Sequence, residues 1–456
     1  MTLITRDLVL GLGVFVAAAI AAAMALEPSA LPAVIGFPAA LAAVVLAYGL
    51  LRGSPAALLL QMSATVFLMQ AVFRIRDYQD KDVDFQVILK IALWVLAAAV
   101  AVVHGRRWLA ILLKPANLPA LLFLLWLPVT AVVSSNPTYT LVSSFTILAC
   151  VVFCACSFAR LDRIDVFAAM IAAITLFCIV SIIVYFAIPE FGHYVYWVNE
   201  ERYVSGRLSG IAGSANNMAL ISSLALVLTS LEARAFHRLH PLIIPVVFMI
   251  CGAALVMTNS RTALLIAVVI IAMSFLLSWK RAYAVVFAAS AGLILFAVLV
   301  PFGQEALLKA VSRSGSVGEV TSLTGRTEIW YAVLKLWEMR PWMGYGYGSS
   351  VFVLPDHAGD VGFTTSHAHN LLLQLLLTTG VIGAALFALS ALGIFLRAIV
   401  HRDRTMFGMI AFVILNGITE SSGFTTLANA CSLAFAIAVT LPPRQRDHED
   451  DRPYQR

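Results

Sequence analysis

Charged side chains are scarce in this chain of 456 residues, where only 12% are Asp, Glu, Lys or Arg and 61% are apolar. A soluble globular protein has about a quarter charged residues and about half apolar ones. This composition excludes a water-soluble protein and leaves no stretch for a separate soluble domain. It indicates an integral membrane protein, in which each crossing helix needs about 20 apolar residues.

Cysteine is also sparse, and no metal-binding motif is present. The cysteines fall inside apolar runs without the spacing of a zinc site, so they are predicted to be small packing residues: Cys150, Cys154, Cys156, Cys178, Cys251 and Cys431. No HExxH motif occurs, although His357, His367 and His369 are close in sequence. We expect no metal and no cofactor, with a histidine metal site as the disfavoured alternative.

Long apolar runs, in contrast, are abundant. They predict an all-α polytopic membrane protein with about 12 to 14 transmembrane helices. The first run is long enough to span the bilayer, so we interpret it as a retained helix rather than a cleaved signal peptide. The predicted spans are approximately 8–26, 31–51, 55–73, 86–103, 118–133, 139–158, 164–188, 211–231, 241–257, 262–278, 282–302, 370–396, 405–419 and 424–441.

The positive charges indicate the orientation of these spans. Loops on the N-terminal side hold roughly three times as many Lys and Arg as the short loops on the other side. Both termini are therefore predicted to be cytoplasmic, and the net charge of +6 reflects membrane orientation rather than nucleic acid binding. The outer side then contains one large loop, 303–369. In it, we expect Thr324 to cap an amphipathic helix on the outer membrane surface and "GYGYGSS" to form a flexible turn.

Two candidate residues stand at the start of an apolar helix in "TTSHAHNLLLQLLLTTG", residues 364–380. Asn370 is a natural N-cap, and the exposed N–H groups of such a helix end favour anions. His369 fits a general base or an anion-binding residue. The alternative is an interfacial histidine that makes a single hydrogen bond.

Four more polar residues are predicted on the outer side. Arg261 in "NSRTALL" fits either an anion site or a side chain that snorkels to the interface. Arg207 in "GRLSGIAGSANNMAL" precedes a helix whose asparagines suit helix packing as well as a cavity. Arg326 is expected to begin the loop helix, where a cation opposes the helix dipole, and that placement favours binding. Glu420 fits an ion pair with one of these arginines or, alternatively, a base.

These residues come from five separate outer segments that a helical bundle can bring together. Guanidinium groups hold phosphate oxygens in a bidentate manner and stabilise charge on a departing diphosphate. An imidazole, which titrates near neutral pH, can take the proton of an attacking hydroxyl. The combination indicates a diphosphate leaving group, whereas the paired carboxylates of a glycosidase are not evident.

At these residues the sequence resembles the O-antigen ligase and Wzy-type polysaccharide polymerase superfamily. The similarity rests on "GRTEIWYAVLKLWEMRPWMGYGYGSS" and "SHAHNLLLQLLLTTGVIG", with "NSRTALL" and "GRLSGIAGSANNMAL" upstream in the expected order. The similarity is strong from about residue 200 to 423. Before residue 200 it consists only of a series of hydrophobic helices. Accordingly, we divide the chain into an N-terminal helix series (1–200), a ligase- or polymerase-like core (201–441, with loop 303–369) and a polar cytoplasmic tail (442–456).

The resemblance implies a metal-independent inverting glycosyltransferase of the GT-C class in a bacterial inner membrane, with its site facing the periplasm. Arg207, Arg261 and Arg326 would hold the diphosphate of an undecaprenyl-diphosphate-linked oligosaccharide, and His369 would activate the acceptor hydroxyl. Glu420 and Asn370 are further candidate substrate-binding residues.

The acceptor defines three alternative functions. A polymerase transfers the glycan to the next lipid-linked repeat unit, with a chain-length regulator as a candidate partner. An O-antigen ligase transfers it to lipid A-core. From a different class, a lipid-linked sugar transporter would place charges near the bilayer midplane, where this sequence has few. The polymerase is the leading hypothesis.

Overall fold

A computed structural model describes most of the chain outside its two ends and several internal stretches. The described residues are 49–50, 52–74, 84–103, 107–198, 201–276, 326–357, 359, 365–420, 423–425 and 427–442. Predicted spans 8–26 and 282–302, nearly all of 31–51 and of the tail, and the proposed cap Thr324 lie outside these residues.

The described part is built of helices joined by short connections. In chain order they are α1 (Pro55–Gln70), α2 (Phe85–Val103), α3 (Arg107–Leu112), α4 (Leu118–Val129), α5 (Pro137–Arg160), α6 (Arg163–Ala187), α7 (Ala215–Leu231), α8 (Ala233–Leu239), α9 (Ile243–Met257), α10 (Arg261–Leu276), α11 (Arg326–Met339), α12 (Ser350–Asp356), α13 (Leu371–Val400), α14 (Arg404–Thr419) and α15 (Ala430–Thr440). Single turns of helix stand at Pro115–Asn117, Thr130–Val133, Pro189–Gly192 and Gly210–Ala212.

The predicted all-α polytopic fold is confirmed. Within the described residues, five helical stretches are long and apolar enough to cross a bilayer: Phe85–Val103, Pro115–Val133, Pro137–Arg160, Arg163–Ala187 and Leu371–Val400. Every predicted span that falls within the described residues coincides with a helix. The last one starts later than predicted, at Ala430 instead of 424, because Asn429 caps it with its side chain and Ser432 completes a capping box.

Three helices form the centre of the bundle. α5 and α7 are mostly buried, and every residue of α15 is buried. Phe123, Phe387, Phe424 and Phe435 meet between α4, α13 and α15, with ring centroids 5.3 to 6.1 Å apart. All six cysteines are buried and none forms a disulfide, which agrees with their predicted packing role.

The long helix α13 is broken at Gly380. There φ is +67°, and the N–H groups of Val381 and Ile382 donate to Pro341 and Trp342 instead of to their own helix. The helix carbonyls of Leu377 and Thr378 accept from Tyr345 and Gly346, at 2.9 Å each. The predicted single span 370–396 is thus two helical pieces, because the chain after α11 replaces part of its hydrogen bonding.

This same arrangement corrects the prediction that "GYGYGSS" is a flexible turn. Residues 344 and 346–350 are buried, and Tyr347 donates its N–H to Thr130 Oγ1 at 2.9 Å. A Cβ atom on Gly344 would lie 2.5 Å from the carbonyl oxygen of Leu377, and one on Gly380 would lie 2.1 Å from that of Trp342. The glycines are needed for close backbone contact between the two segments rather than for mobility.

A β-hairpin follows α6, in the connection between the predicted spans 164–188 and 211–231. Strands β1 (His193–Val198) and β2 (Glu201–Leu208) pair in antiparallel fashion, with an irregularity between His193 and Tyr194. The hairpin is attached to α6, because Tyr185 donates its hydroxyl to the carbonyl of Gly206 at 2.9 Å. The tyrosine and β-branched residues of "HYVYWVNEERYV" favour strands, although the surrounding apolar helices obscure this signal.

One end of the bundle is closed by a buried ionic cluster, which we call the ionic lock. Arg163, at the start of α6, donates to Glu232 Oε1 at 2.9 Å and to Asp403 Oδ2 at 2.7 Å. Thr405 also donates to Glu232, and Asp403 caps α14 by accepting from the N–H groups of Thr405 and Met406. The lock joins α6, α7 and α14, since it contains the first residue of α6 and the residues that cap α7 and α14.

Candidate active site

The opposite ends of the same helices carry the residues predicted to act on substrate. Glu420 follows the last residue of α14, and Asn216 lies in the first turn of α7. His369 and Asn370 precede α13, Arg326 is the first residue of α11, and Arg207 lies on β2 after α6. A helix of 16 or 17 residues is about 25 Å long, so this site and the ionic lock are separated by the length of the helices.

Glu420 is the centre of the site. Its Oε1 accepts from Arg326 Nη2 at 3.0 Å and from Asn216 Nδ2 at 2.9 Å, and its Oε2 lies 3.2 Å from His369 Nδ1. The side chain of Glu420 is 14% exposed, compared with 23% for Arg326 and 32% for His369. One half-buried carboxylate therefore joins the first turns of α7 and α11 to the loop before α13.

Arg207 enters the network through Asn216. Its Nη2 donates to Asn216 Oδ1 at 3.0 Å, its Nε donates to the carbonyl of Thr258 at 2.8 Å, and its guanidinium lies over the ring of Tyr194. From the sequence, Asn216 suited helix packing and a cavity equally well. The structure places it between Arg207 and Glu420, a role that one polar residue in a helix's first turn does not reveal.

Arg261 borders this network at the start of α10. The turn that precedes it contains Thr258, whose carbonyl accepts from Arg207, and Asn259, which has a positive φ of 50°. The side chain of Arg261 is exposed. Its position three residues after a hydrogen-bonded partner of Arg207 brings a third arginine to the same end of the bundle.

The backbone of His369 has an unusual conformation, with φ at +48°. A left-handed conformation is costly for a residue with a side chain and persists when its surroundings hold it. Here the holding contacts come from both sides of the histidine. Asn370 caps α13 by accepting from Leu373 N–H and donates to the carbonyl of Ile418, while Ala368 accepts from Trp330 and donates to Gln374. The loop is thus fixed with the His369 ring at Glu420.

The charges around Glu420 keep it ionised. Burial alone would raise its pKa, but the hydrogen bond and charge of His369, with the charges of Arg326 and His367, hold the pKa of Glu420 below its ordinary value. The pKa of His367 is also lowered, to about 4, because burial first and the charge of His369 second disfavour its charged form. Its Nδ1 is buried, with no hydrogen-bond partner among the described residues.

Helix α11 is supported by the protein on its apolar side. Its residues Ile329, Ala332, Val333 and Leu336 are buried against α12, the loop before α13 and α13 itself, where Leu354, Ala368 and Leu377 belong to the same cluster. The apolar face that we expected on the outer membrane surface therefore packs against the chain. This packing fixes Arg326 with respect to His369.

The described residues contain no group of three or more His, Cys, Asp or Glu side chains placed to hold a metal ion. His357 is occupied locally, with its Nδ1 2.8 Å from the carbonyl oxygen of Val353. The site offers a histidine that contacts a carboxylate, and that carboxylate also binds Arg326. Such groups are suited to proton transfer and to the binding of an anion.

Fold and site together define the class of the protein. It is a multi-pass helical membrane protein with a cation-rich site at one end of its helix bundle. The O-antigen ligase family model matches residues 245–388. The match contains Arg261, Arg326 and His369, whereas Arg207 and Asn216 precede it and Glu420 follows it. The resemblance inferred from the sequence is thereby confirmed. No curated protein matches the chain.

Proposed function

We propose that this protein is a polysaccharide polymerase, which transfers a glycan from an undecaprenyl-diphosphate-linked donor to a hydroxyl of the next lipid-linked repeat unit. The observation that carries the proposal is the hydrogen bond of His369 to Glu420, a carboxylate that also binds Arg326. The family of residues 245–388 supports lipid-linked glycans as the substrate class.

The arginines are proposed to hold the donor diphosphate. Arg207 and Arg326 are joined through Asn216 and Glu420, the carboxylate at the centre of the network. Arg261 starts α10 at the same end of the bundle. The excess of positive charge suits a diphosphate, and guanidinium groups stabilise the charge that develops on it as it departs. Such a leaving group needs no protonation, so the proposed reaction needs no metal and no second acid.

His369 is proposed to be the general base. If its Nδ1–H donates to Glu420, its Nε2 is left to accept a proton. The acceptor oxygen forms a bond to the anomeric carbon, its proton moves to His369 Nε2, and the bond to the diphosphate breaks with the electron pair on the diphosphate. Attack from the face opposite the leaving group inverts the anomeric carbon. Glu420 acts as a positioning residue that fixes the ring and its tautomer.

The proposed orientation places this site in the periplasm and both termini in the cytoplasm. The cationic loops assigned to the cytoplasm include Arg163, Arg397 and Arg404, and these residues belong to the ends of α6, α13 and α14 that lie away from the site. The charge distribution of the sequence and the helix directions are therefore consistent with each other. Charges at helix ends also support transfer chemistry over a transporter with a midplane site.

An O-antigen ligase is the second candidate, favoured by the name of the family that matches residues 245–388. The two functions share the donor chemistry and differ only in the acceptor. The test is a reaction of purified protein with one lipid-diphosphate-linked repeat unit, without metal or nucleotide, resolved on a gel. We expect a ladder of products. A single product that forms only after lipid A-core is added would replace the polymerase by the ligase, and no transfer to either acceptor would overturn both.

A further inference from the structure

The hairpin beside the candidate site carries aromatic residues that the proposed chemistry does not use. Tyr194 and Tyr196 are two residues apart on β1 and so share one face, and Tyr196 pairs with Tyr203 across the strands. The ring centroids of Tyr194 and Tyr196 are 5.9 Å apart, those of Tyr196 and Tyr203 are 5.6 Å apart, and both pairs are within 21° of parallel. We call these three residues the tyrosine ladder.

The tyrosine ladder is continuous with the ionic site. The guanidinium carbon of Arg207 lies 5.3 Å from the ring centroid of Tyr194, a cation–π contact, and Arg207 is joined to Glu420 through Asn216. An anion held by Arg207 is therefore next to the first ring of the ladder. Any group attached to that anion begins where the row of tyrosines begins.

The ladder is also accessible and held in place. Tyr196 and Tyr203 are 39% and 41% exposed, so their rings offer surface to a ligand. The hairpin is fixed on α6 by the hydrogen bond from Tyr185 to Gly206 and by the ring of His193, 4.3 Å from that of Tyr185. A platform that is already ordered loses little entropy when a ligand binds.

The chemistry of these rings suits a carbohydrate. A tyrosine offers an apolar π face together with a hydroxyl that can donate and accept hydrogen bonds. A sugar ring has the complementary surface, with C–H groups on its faces and hydroxyls around its rim. Three rings in a row match a ligand with several sugars better than they match a single anchoring point at the lipid interface.

We infer that the tyrosine ladder binds the glycan part of the lipid-linked substrate, beside the diphosphate held by the arginines. This inference rests on the proposed function, because it takes the anion at Arg207 to be the diphosphate that carries the glycan. It adds a subsite for the sugars, formed by Tyr194, Tyr196 and Tyr203 on the hairpin.

The test measures binding of two lipids to the purified full chain. One is the undecaprenyl-diphosphate-linked repeat unit extracted from the native membrane, and the other is undecaprenyl diphosphate, which lacks sugar. We expect Tyr196→Ala and Tyr203→Ala each to weaken binding of the glycan-bearing lipid about tenfold, as loss of a stacked aromatic contact predicts, without changing binding of the sugar-free lipid. Tyr196→Phe, which keeps the ring, should lose much less affinity.

Tyr331→Ala is the matched control, because Tyr331 is an exposed tyrosine on α11 outside the tyrosine ladder. It should bind both lipids like the wild type. Equal weakening of both lipids by the ladder variants would mean that these tyrosines anchor the hairpin in the bilayer interface, and affinities unchanged for both lipids would also overturn the inference. If the wild type binds neither lipid, the proposed function itself fails and the ladder loses its ligand with it.

Discussion

The ionic lock and the candidate active site occupy opposite ends of α6, α7 and α14 and are built in opposite ways. The lock has one cation, Arg163, between two carboxylates whose side chains are only 2% and 1% exposed. The site has one carboxylate, Glu420, which accepts from Arg326, Asn216 and His369, and its charged side chains are 14% to 32% exposed. A buried, fully paired cluster holds helices together, whereas a cation-rich, accessible cluster suits the anionic ligand that we propose for it.

Asp403 in the lock and Glu420 in the site both have lowered pKa values, but the partners that lower them differ. Burial alone would raise the pKa of Asp403, yet the hydrogen bonds and charge of Arg163 and the N–H groups of Met406 and Thr405 lower it. In the lock, part of the lowering of the pKa comes from backbone N–H groups of a helix, since Asp403 caps α14. At Glu420 it comes from side chains, and two of them, His369 and Arg326, have proposed roles toward substrate. The comparison teaches that a similar pKa shift accompanies a structural role at one end and a proposed catalytic role at the other.

Removing the histidine should have the largest effect and should separate function from stability. We expect His369→Ala to lower glycan transfer by about 10²- to 10⁴-fold, the usual contribution of a general base. Protein abundance in the membrane and thermal unfolding should not change, because the ring is 32% exposed and only borders the packed core. The measurement is transfer of a lipid-linked repeat unit by purified variants.

His357→Ala serves as its control, since His357 follows α12, between α11 and α13, and is outside the network of Glu420. It should leave transfer unchanged. An unaltered product yield in His369→Ala would show that His369 is not the general base. The cluster around Glu420 would then have a structural role, like the ionic lock.

Breaking the ionic lock should have the reverse signature. Arg163→Met leaves Glu232 and Asp403 buried without their cation, which we expect to lower the free energy of unfolding by about 3 kcal/mol. Transfer per folded molecule should stay the same. Thermal unfolding in detergent and specific activity measure the two quantities, with the exposed Arg160→Met as control. A variant of normal stability would show that the lock is dispensable.

A conservative change at Arg261 should have a smaller effect. We expect Arg261→Lys to reduce transfer about tenfold, because an ammonium cannot reproduce the bidentate contact of a guanidinium with phosphate oxygens. The same change at Arg234, exposed on α8, should have no effect on transfer. Full activity in Arg261→Lys would indicate that this side chain is an interfacial anchor rather than a ligand for the diphosphate.

The smallest expected effect is that of pH on stability. As pH falls, stability contributed at the site should be lost before stability contributed by the lock. The pKa of His367 falls from 6.5 to about 4 in the folded protein, so between these values the unfolded chain binds a proton that the folded chain does not. Its contribution to stability therefore decreases as pH falls through this range. The lowered pKa of Asp403 acts with the same sign but at more acidic pH: its contribution is present above the ordinary value of 3.8 and is lost only below that value.

The variant His367→Gln tests this difference. Between pH 6.5 and 4 it should lose on the order of 1 kcal/mol less stability than the wild type. The exposed His401→Gln, at the other end of the bundle, should follow the wild type. Thermal unfolding across this pH range checks both, and parallel curves for His367→Gln and the wild type would contradict the assignment.

Much of the fold was predictable because its main signal is local. A run of apolar residues long enough to cross the bilayer must satisfy its backbone hydrogen bonds internally, so it forms a helix whatever its neighbours are. The spans, the buried cysteines and the capping role of Asn370 follow from such short-range properties. The hairpin and the break at Gly380 were missed, since both depend on contacts that the residues make elsewhere, such as Tyr185 with Gly206 and Tyr345 with Leu377.

The candidate site residues were selected from the sequence by their chemistry and by the predicted side of the membrane. Their connections were not predictable. Asn216 and Glu420 are 204 positions apart, and Arg163 and Asp403 are 240 apart, so only the packing of α6, α7 and α14 decides that they meet. The length of an apolar run determines one helix by itself, whereas an ion pair forms only where two separate segments are placed next to each other. By itself the sequence determined a multi-pass helical protein with candidate arginines and a histidine on its predicted outer side, and the tertiary structure decided that Glu420 joins residues of this set into one site while Arg163 locks the other end.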